Sequence, residues 1–449
     1  MGNAFVNRKE ELEFLEKLKD KNFFLVVLGR RRIGKTTLLL KAFPNAAYIF
    51  VWPNKTIDWV IEETCKELSL PVFKKFSDIL DYLFERGETV IIDEFQNFLW
   101  IDKSVYGEIQ KVVDKRKIEG KDFKLIVCGS SYSMVNKVLG KEASPLYGRR
   151  THELVIDHLP IKDLFNWLKI PIEDFIKLWS VFQGVPYYYE FIDKSKNAEE
   201  NIISLLLSKN SILREEGRVV LSVEFGRETK VYFTILSAIS EGKTKLSEIA
   251  SLFGNKVNVI SKYLDKLRKE LNLVKRITPV FSDPRKSKEG IYEIQDNFLK
   301  FWFFFVEKRR AYIEQDKYEE VIDYFNKNFN SYVGKMFEKF VFEILRNRII
   351  KLIDFKKIGK QWGKIKNESY EIDIVASDEK EALFVECKWE ENVNALEIVK
   401  NLKEKADALW KGKKVFAVFA KSFSKRIEEF EREKVFCFDL KDLERVLKV

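Results

Sequence analysis

The sequence predicts an α/β protein whose first part is a doubly wound, mostly parallel sheet. Three observations predict it: apolar runs alternate with helical stretches, a glycine-rich turn follows the first apolar run, and an acidic pair ends a later one. The runs are continuous rather than alternating, as expected for strands buried on both faces. They lie at residues 23–29, 46–52, 89–95, 124–130 and 152–157.

The composition indicates a folded protein with several domains. At 449 residues the chain is long enough for roughly two to four domains. Hydrophobic residues make up 46% and charged residues 33%, which excludes a disordered chain. The net charge of +10 combines 80 basic and 70 acidic residues. Such a surface is typical of thermophiles and also suits a nucleic-acid partner, so the charge leaves both interpretations open.

The cysteines and the apolar runs indicate a cytoplasmic protein without a membrane segment. Scattered thiols without paired spacing argue against a zinc site and suggest a reducing compartment. They are Cys65, Cys128, Cys387 and Cys437. The N-terminus is charged and lacks the apolar core of a signal peptide. The longest apolar run, residues 301–306, is too short to span a bilayer, and we expect a buried helix there.

The pattern of the chain divides it into four segments. Residues 1–158 form the predicted parallel-sheet domain, and residues 159–225 are helical in pattern, as in a helical lid. Residues 226–296 contain three helical stretches and a basic tail that suggests a hairpin. Residues 297–449 begin with aromatic helices and continue into a second α/β domain.

A phosphate-binding loop is predicted at Gly29–Thr36, whose sequence GRRRIGKT fits the pattern G-x-x-x-x-G-K-[ST]. It follows an apolar strand and precedes a helix, which is the context that the motif requires. Lys35 would meet the β- and γ-phosphates of ATP, and Thr36 would meet Mg²⁺. The remaining candidate contacts in and beside the loop are Gly29, Arg30, Arg31, Arg32, Ile33, Gly34 and Thr37. The three arginines could equally face solvent, a partner or DNA.

An acidic pair supplies the second half of the predicted site. Asp93 ends an apolar strand, where open α/β sheets place their ligands, and would hold Mg²⁺. Glu94 is suited to polarise the attacking water. Ser130, at the end of another apolar strand, is a candidate γ-phosphate sensor or a simple turn residue. Arg149 and Arg150 are candidates for an arginine that senses charge, or for a structural role.

The third segment has the pattern of a helix-turn-helix. The expected helices span residues 230–240, 245–254 and 256–271, with a short turn at Gly254–Asn255. We expect Leu252 and Val259 in their shared apolar core. The outer face of the third helix and the tail are basic, so the module resembles a winged helix. It would bind DNA phosphates or, as an adaptor, contact protein.

Strand patterns in the fourth segment bring acidic residues together. A hairpin that is symmetric about Glu379–Lys380 places Asp373 opposite Glu386, with Lys388 on the same face. Opposed carboxylates repel one another unless a cation lies between them, and Mg²⁺ suits such oxygen ligands. The set resembles the PD-(D/E)xK restriction-endonuclease-like fold. By that resemblance, Glu338 on the preceding helix is a further metal ligand. A solvent-facing strand pair remains the alternative.

Six motifs in one order are similar to the archaeal ATPase family, which belongs to the AAA+/STAND group of P-loop ATPases. They are FVNRKEEL, GRRRIGKT, VIIDEFQ, CGSS, PLYGRR and QGVPYY. The family commonly continues into a winged helix and a nuclease-like domain, so the resemblance covers most of the chain. It implies that Asn7 and Arg8 lie near the adenine.

Two functional hypotheses follow from the sequence. In the first, ATP binding and hydrolysis, with Mg²⁺, reposition the winged helix and a nuclease-like domain that cleaves DNA. In the second, the chain is a nucleotide-switched regulator or scaffold that binds DNA or protein without cleaving it. Both hypotheses expect ATP and ADP as ligands, and a protein partner or a second copy of the chain is compatible with each.

Overall fold

The computed structural model describes residues 8–130, 138–140, 144–225 and 229–448, without the side chains of residues 222–224. The chain forms two compact units. Unit 1 comprises residues 1–159 and 185–190, and unit 2 comprises residues 160–184 and 191–449. The predicted helical lid, winged helix and nuclease-like segment all fall in unit 2 apart from residues 159 and 185–190, so that finer division stays a prediction.

Unit 1 is built on a five-stranded parallel sheet, and each strand lies within one of the five predicted apolar runs. The strands are β1 (Phe23–Gly29), β2 (Ala47–Phe50), β3 (Thr89–Asp93), β4 (Lys124–Gly129) and β5 (His152–Ile156). Their order is β2-β3-β4-β1-β5, and all pairs are parallel. The carboxyl ends of β1, β3 and β4 therefore meet at one edge, where the predicted nucleotide residues lie.

Helices cover this sheet. They are α1 (Lys9–Glu16), α2 (Lys35–Ala42), α3 (Ile57–Glu67), α4 (Phe76–Glu85), α5 (Phe98–Ile101) and α6 (Ser104–Glu119). Apolar side chains of α3, α4 and α6 pack with those of β1, β3 and β4 into a continuous buried core. Burial of these near-continuous apolar strands on both faces is what selects a parallel sheet here. Residues 185–190, which contain α9 (Pro186–Tyr189), complete unit 1.

Unit 2 begins with helices. They are α7 (Ile161–Leu168), α8 (Ile172–Phe182), α10 (Ala198–Ile202), α11 (Glu216–Phe225), α12 (Thr229–Ser240), α13 (Leu246–Ser251) and α14 (Val257–Lys269). A two-stranded antiparallel hairpin of β6 (Val274–Ile277) and β7 (Ile291–Ile294) follows. Lys245 forms an additional bridge to Ile291. Helices α12 to α14 and this hairpin occur in the order expected of a winged helix.

The turn between α13 and α14 is the predicted one, but two core predictions there are wrong. Gly254 and Asn255 both have left-handed backbone angles, φ 64° and 60°, which suits glycine and asparagine. Leu252 and Val259 are 45% and 47% exposed, whereas Ile260 is buried. Because α14 starts at Val257, its inward face falls on Ile260 rather than on Val259.

The aromatic run at residues 301–306 is helical, as expected. It joins α15 (Asn297–Phe301) to a π-helical turn at Trp302–Val306, and five of its six side chains are buried. A 3₁₀ turn, α16 (Arg310–Glu314) and the long α17 (Tyr318–Arg346) follow. Every helix in the described part of the chain is too short or too polar to be a candidate membrane span.

Unit 2 ends in a six-stranded mixed sheet of order β14-β15-β12-β10-β9-β8. Its elements are β8 (Lys357–Ile365), β9 (Glu368–Ser377), β10 (Glu381–Lys388), β12 (Lys413–Ala420), β14 (Glu429–Phe430) and β15 (Glu433–Phe438). A small pair, β11 (Val393–Asn394) and β13 (Phe423–Lys425), lies outside this sheet. Helix α18 (Ala395–Leu409) packs on the sheet core, α17 contacts β9 and β10, and α19 (Leu440–Lys448) ends the described chain.

The hairpin of β9 and β10 has the predicted register. Ala382 pairs with Ser377 and Val385 pairs with Ile374, so each pair is symmetric about Glu379–Lys380. The next position of the same register sets Glu386 opposite Asp373. The backbone N–H of Cys387 donates a hydrogen bond of 2.8 Å to Asp373 Oδ2, which fixes this carboxylate at the end of the ladder.

Candidate functional site

Two glycines shape the loop that follows β1. A Cβ on Gly29 would lie 2.7 Å from the carbonyl oxygen of Ile156 on the neighbouring strand, so no larger residue fits there. Gly34 has φ 91° and is the N-cap of α2, without a side-chain cap. The first-turn N–H groups of α2 are therefore left for a ligand, and a helix N-terminus of this kind favours phosphate.

Lys35 is held inside the loop. Its ammonium donates hydrogen bonds of 2.8 Å to the carbonyl oxygen of Gly29 and 3.1 Å to that of Arg30. The side chain is buried, and this burial lowers the pKa of Lys35 against the attraction of Cys128, Glu94 and Asp93. The charge is thus fixed in position at the carboxyl edge of the sheet.

Asp93 accepts hydrogen bonds from four surrounding groups. Thr36 Oγ1 donates to Oδ2 at 2.6 Å and Tyr48 Oη donates to Oδ2 at 2.9 Å. The Cys128 thiol and the backbone N–H of Glu94 donate to Oδ1 at 2.9 and 2.8 Å. Burial, with the charge of Asp93, raises the pKa of both Tyr48 and Cys128, which keeps them protonated as donors.

Glu94 is held by residues of two neighbouring segments. Its backbone lies in the left-handed region, with φ 51°, an uncommon conformation for glutamate. Ser130 Oγ donates to Glu94 Oε2 at 2.8 Å, and the side-chain amide of Gln96 donates to the same oxygen. Ser130 therefore contacts the candidate catalytic carboxylate directly.

These residues line a cavity of about 260 Å³ within unit 1. The lining comprises Arg8, Arg31, Arg32, Ile33, Gly34, Lys35, Thr36, Thr37, Asp93, Glu94, Ser130, Leu159, Pro186, Tyr187 and Glu190. Arg8 is buried and donates to the carbonyl oxygens of Asp157, at 2.8 Å, and Ile33, at 3.3 Å. The Arg32 guanidinium lies 3.9 Å from the ring centre of Tyr187.

Not every predicted residue reaches the cavity. Arg149 makes a double contact with Asp114, and Arg150 pairs with Glu153. Both arginines precede β5, so they lie at the amino edge of the parallel sheet, opposite the loop, and neither lines the cavity. Gly29 and Arg30 contribute the carbonyl oxygens that hold Lys35 rather than lining residues. Asn7 lies outside the described residues.

A second group of acidic residues lies in unit 2. Carboxylate oxygens of Glu338, Glu371 and Asp373 lie within 4.8 Å of one another. Lys360 on β8 forms ion pairs with Glu338, at 3.0 Å, and with Glu371. These carboxylates form a group able to hold a divalent cation, and we call it the carboxylate cluster. The sequence predicted a metal site of Glu338, Asp373 and Glu386, whereas the cluster contains Glu371 in place of Glu386.

Glu386 and Lys388 lie beside this cluster and pair with each other. Lys388 Nζ lies 2.8 Å from Glu386 Oε1, while Glu386 Oε2 is buried and has no hydrogen-bond partner among the described residues. Burial and the charges of Glu338 and Glu386 raise the pKa of Asp373 to about 7. Burial alone would lower the pKa of Lys388, but the ion pair with Glu386 outweighs it and raises the pKa of Lys388 overall. The repulsion expected between opposed carboxylates is therefore present.

Several functional residues have no strong local signal. Tyr48 could have been proposed as a neighbour of Asp93, because β2 lies next to β3 and the two parallel strands end at the same edge of the sheet. Glu371 is two positions from Asp373 on β9, so strand alternation could have found it. Pro186, Tyr187 and Glu190 lie some 150 residues beyond the loop, and only the folded chain brings them to it.

The set in unit 1 fits ATP with Mg²⁺. A fixed ammonium, uncapped N–H groups and the pairing of Thr36 with Asp93 are the contacts that phosphates and their cation require. An uncharacterized protein of Methanocaldococcus jannaschii is 33% identical over 464 residues, covering 98% of this chain and 99% of the relative. A family described as an AAA domain matches residues 21–161, which carry the loop. The chain belongs to the archaeal AAA+ ATPase family.

Further proteins and solved structures are similar to this chain. An uncharacterized ATP-binding protein of M. jannaschii is 54% identical over 43 residues, 9% of this chain and 73% of that protein. A family described as archaeal and bacterial proteins of unknown function matches residues 302–403. The Walker-type ATPase of Pyrococcus abyssi is similar at 18% identity with TM-score 0.46, covering 67% of this chain and 96% of that chain. The Aeropyrum pernix ORC2 protein is similar at 13% identity with TM-score 0.40, covering 72% and 96%.

Proposed function

We propose that the chain is a Mg²⁺-dependent ATPase that acts on DNA through unit 2. The observation that carries the ATPase activity is the direct pairing of Thr36 with Asp93, beside Lys35 and Glu94, in one cavity. A hydroxyl and a carboxylate in contact form the pair that holds a nucleotide-bound Mg²⁺ in P-loop proteins. Bound there, Mg²⁺ supplies charge neutralisation at the β- and γ-phosphates.

The other steps of ATP binding and hydrolysis are assigned to residues of the chain. Lys35 and the N–H groups of the α2 N-terminus bind the phosphates, and Asp93 keeps Thr36 oriented. Glu94 orients the attacking water and accepts its proton as the new P–O bond forms and the bond to the leaving ADP oxygen breaks. Ser130 and Gln96 hold Glu94 through one oxygen, Oε2. Arg8 and the segment 185–190 line the cavity as candidates for contacts with the base.

Replacing Glu94 tests its assigned role as the residue that orients the attacking water and accepts its proton. We expect Glu94→Gln to lower the turnover number for ATP at least about 100-fold while ATP still binds, because the amide cannot accept the proton. Phosphate release and the binding of a fluorescent ATP analogue measure the two quantities, and Glu62→Gln, at an exposed position of α3, is the matched control. A Glu94→Gln protein that hydrolyses ATP at the wild-type rate would remove Glu94 from the mechanism.

The action on DNA rests on the carboxylate cluster and its basic neighbour. Glu338, Glu371 and Asp373 gather three carboxylates around one point, and burial together with the charges of Glu338 and Glu386 raises the pKa of Asp373. A divalent cation would offset the repulsion between these carboxylates and would activate water for attack on a phosphodiester. Lys388, two residues beyond Glu386 on β10, supplies a charge for the developing phosphate oxyanion.

The helices α12 to α14 with the β6–β7 hairpin are the proposed DNA-binding module. Asn258, Lys262 and Lys269 on α14 are exposed, as expected for phosphate contacts. Lys266 is an exception, because its ammonium lies 5.4 Å from the ring centre of Tyr232. We therefore expect the contact face to centre on Lys262 rather than on the whole basic stripe.

Incubation with single-stranded, duplex and branched DNA separates cleavage from binding. With Mg²⁺ and ATP, the wild-type chain is expected to yield cleavage products that Asp373→Ala does not yield. Asp323→Ala, an exposed acidic residue on α17, is the control. Band shifts without products in every DNA would favour the regulator or scaffold instead, and would refute the nuclease part of the proposal.

A further inference from the structure

A group of lysines lies where the β6–β7 hairpin meets α15 and α17 in unit 2. The members are Lys275 on β6, Lys300 on α15, and Lys335 and Lys339 on α17, and we call them the lysine group. Lys339 Nζ donates to the carbonyl oxygen of Gln295 and to Asn297 Oδ1, both at 2.6 Å. Lys300 is one helical turn after Asn297, and Lys335 is one turn before Lys339, so the four share one region.

Lys300 differs from Lys275 and Lys339 because it has no partner among the described residues; Lys335 also lacks one there, but its side chain is exposed. Lys275 pairs with Glu293 at 3.3 Å, and Lys339 has the two acceptors above. Lys300 Nζ makes neither a hydrogen bond nor an ion pair with any residue that the structure describes, although its side chain is only partly exposed. An ammonium that is partly removed from water without a counter-charge is unfavourable.

The electrostatic surroundings of Lys300 are consistent with this imbalance. Burial lowers its pKa, and Lys275 and Lys335 lower it further against the opposing effect of Glu293 and Glu338. Glu293 already pairs with Lys275, and Glu338 pairs with Lys360. The region therefore presents more positive than available negative charge, and Lys300 and the more exposed Lys335 are the cations of this group left to contact an added anion.

We propose that Lys300, with Lys275 and Lys335, binds a backbone phosphate of DNA next to the carboxylate cluster. This inference rests on the proposed action on DNA and names how the substrate is held. Glu338 of the cluster directly precedes Lys339 on α17, and Lys339 donates a hydrogen bond to Asn297 on the helix that carries Lys300, so a phosphate at Lys300 would set the neighbouring phosphodiester on the side of the cluster. Lysine suits this role because a compact ammonium attracts a phosphate without demanding one fixed geometry.

The alternative is that the lysine group only stabilises the fold, and Lys300→Met distinguishes the two. Methionine keeps most of the length of the side chain but removes its charge. If Lys300 serves a ligand, the variant keeps or raises the midpoint of thermal unfolding and binds duplex DNA about tenfold more weakly, with a salt dependence reduced by about one phosphate contact. If Lys300 stabilises the fold, the midpoint falls while DNA affinity and salt dependence stay unchanged.

The binding experiment is carried out without divalent cations, by fluorescence anisotropy of a labelled duplex over a series of salt concentrations. Lys327→Met, an exposed lysine on the same helix α17, is the control and is expected to behave like the wild type. Because no cleavage is required, a failed nuclease assay leaves this test intact. A parallel thermal-shift titration with inorganic phosphate tests the ligand class. Stabilisation by phosphate that depends on Lys300, in a chain that binds no DNA, would overturn DNA as the ligand.

Discussion

The two acidic sites of this protein differ in the groups that surround their central aspartate. Asp93 in unit 1 accepts hydrogen bonds from Thr36, Tyr48, Cys128 and the backbone of Glu94. Asp373 in unit 2 accepts one backbone hydrogen bond, from Cys387, and lies among other carboxylates. Burial and the charges of Glu338 and Glu386 raise the pKa of Asp373 to about 7.

This difference separates a preorganised site from one that depends on a cation. Four donors can hold the Asp93 carboxylate in place whether or not a nucleotide is bound, so little reorganisation is needed on binding. Burial and the like charges around Asp373 favour its protonation until a cation enters. The first site is therefore expected to tolerate the loss of one donor, and the second to respond strongly to pH and to divalent cations.

The largest expected effect comes from removing the charge at the preorganised site. Asp93→Asn should lower ATP turnover about 100-fold or more, because the amide can neither hold Thr36 in the same way nor attract Mg²⁺. Phosphate release at saturating ATP measures the effect, and Asp58→Asn on α3 is the control. Equal rates in the two variants would show that Asp93 has no role in turnover.

The next largest effect concerns divalent cations at the carboxylate cluster. Glu338→Gln is expected to weaken their binding at least about tenfold, since one of three converging carboxylates is lost. Terbium luminescence without nucleotide reports this affinity, with Trp389 near the cluster as the sensitiser. Glu319→Gln, exposed on the same helix, should match the wild type. A cluster that only balances Lys360 would show no such loss.

A pH profile tests the like-charge repulsion at Asp373. The folded chain keeps the proton up to pH about 7, whereas the unfolded chain releases it above 3.8. Stability should therefore fall as pH rises from about 4 to 7 and level off above that, by roughly 1–3 kcal/mol in a chelating buffer. Asp373→Asn should flatten this part of the profile, and Mg²⁺ should restore stability at high pH. Identical profiles in wild type and variant would contradict the assignment.

The smallest effect is expected from removing one of the four hydrogen-bond donors around Asp93. Tyr48→Phe removes one of the four groups around Asp93 and should raise the KM for Mg²⁺-ATP about three- to tenfold, with a nearly unchanged kcat. Steady-state kinetics measure both constants, and Tyr82→Phe on α4 is the control. A collapse of kcat would mean that Tyr48 takes part in the chemistry itself.

The parts of the fold that the sequence predicted are those with a local physical cause. Continuous apolar runs locate the strands of unit 1, and a short symmetric turn sets the register that brings Asp373 and Glu386 together. Strand β8 was missed because Lys357–Ile365 lies at a sheet edge and shows no alternation of apolar residues. Of the two roles predicted for Arg149 and Arg150, their ion pairs agree with the structural one, and sequence order alone does not tell which edge of a parallel sheet a loop reaches.

The residues that were missed depend on long-range packing. Tyr48 and Cys128 meet Asp93 only because β2, β3 and β4 are adjacent, an order that the sequence does not specify. Glu371 replaces Glu386 in the carboxylate cluster because Glu386 turns to its own ion pair with Lys388. Competition between a metal site and an internal ion pair is decided by tertiary geometry, and no short motif records it.

The central claim is that ATP is hydrolysed at the loop Gly29–Thr36. Phosphate release by the Lys35→Ala variant tests this claim most directly. The controls are Lys41→Ala on the same helix and Asp373→Ala in unit 2. We predict at least about a 100-fold loss of turnover in Lys35→Ala alone, because only that variant loses the cation that meets the phosphates. Hydrolysis by Lys35→Ala at the wild-type rate would contradict the claim.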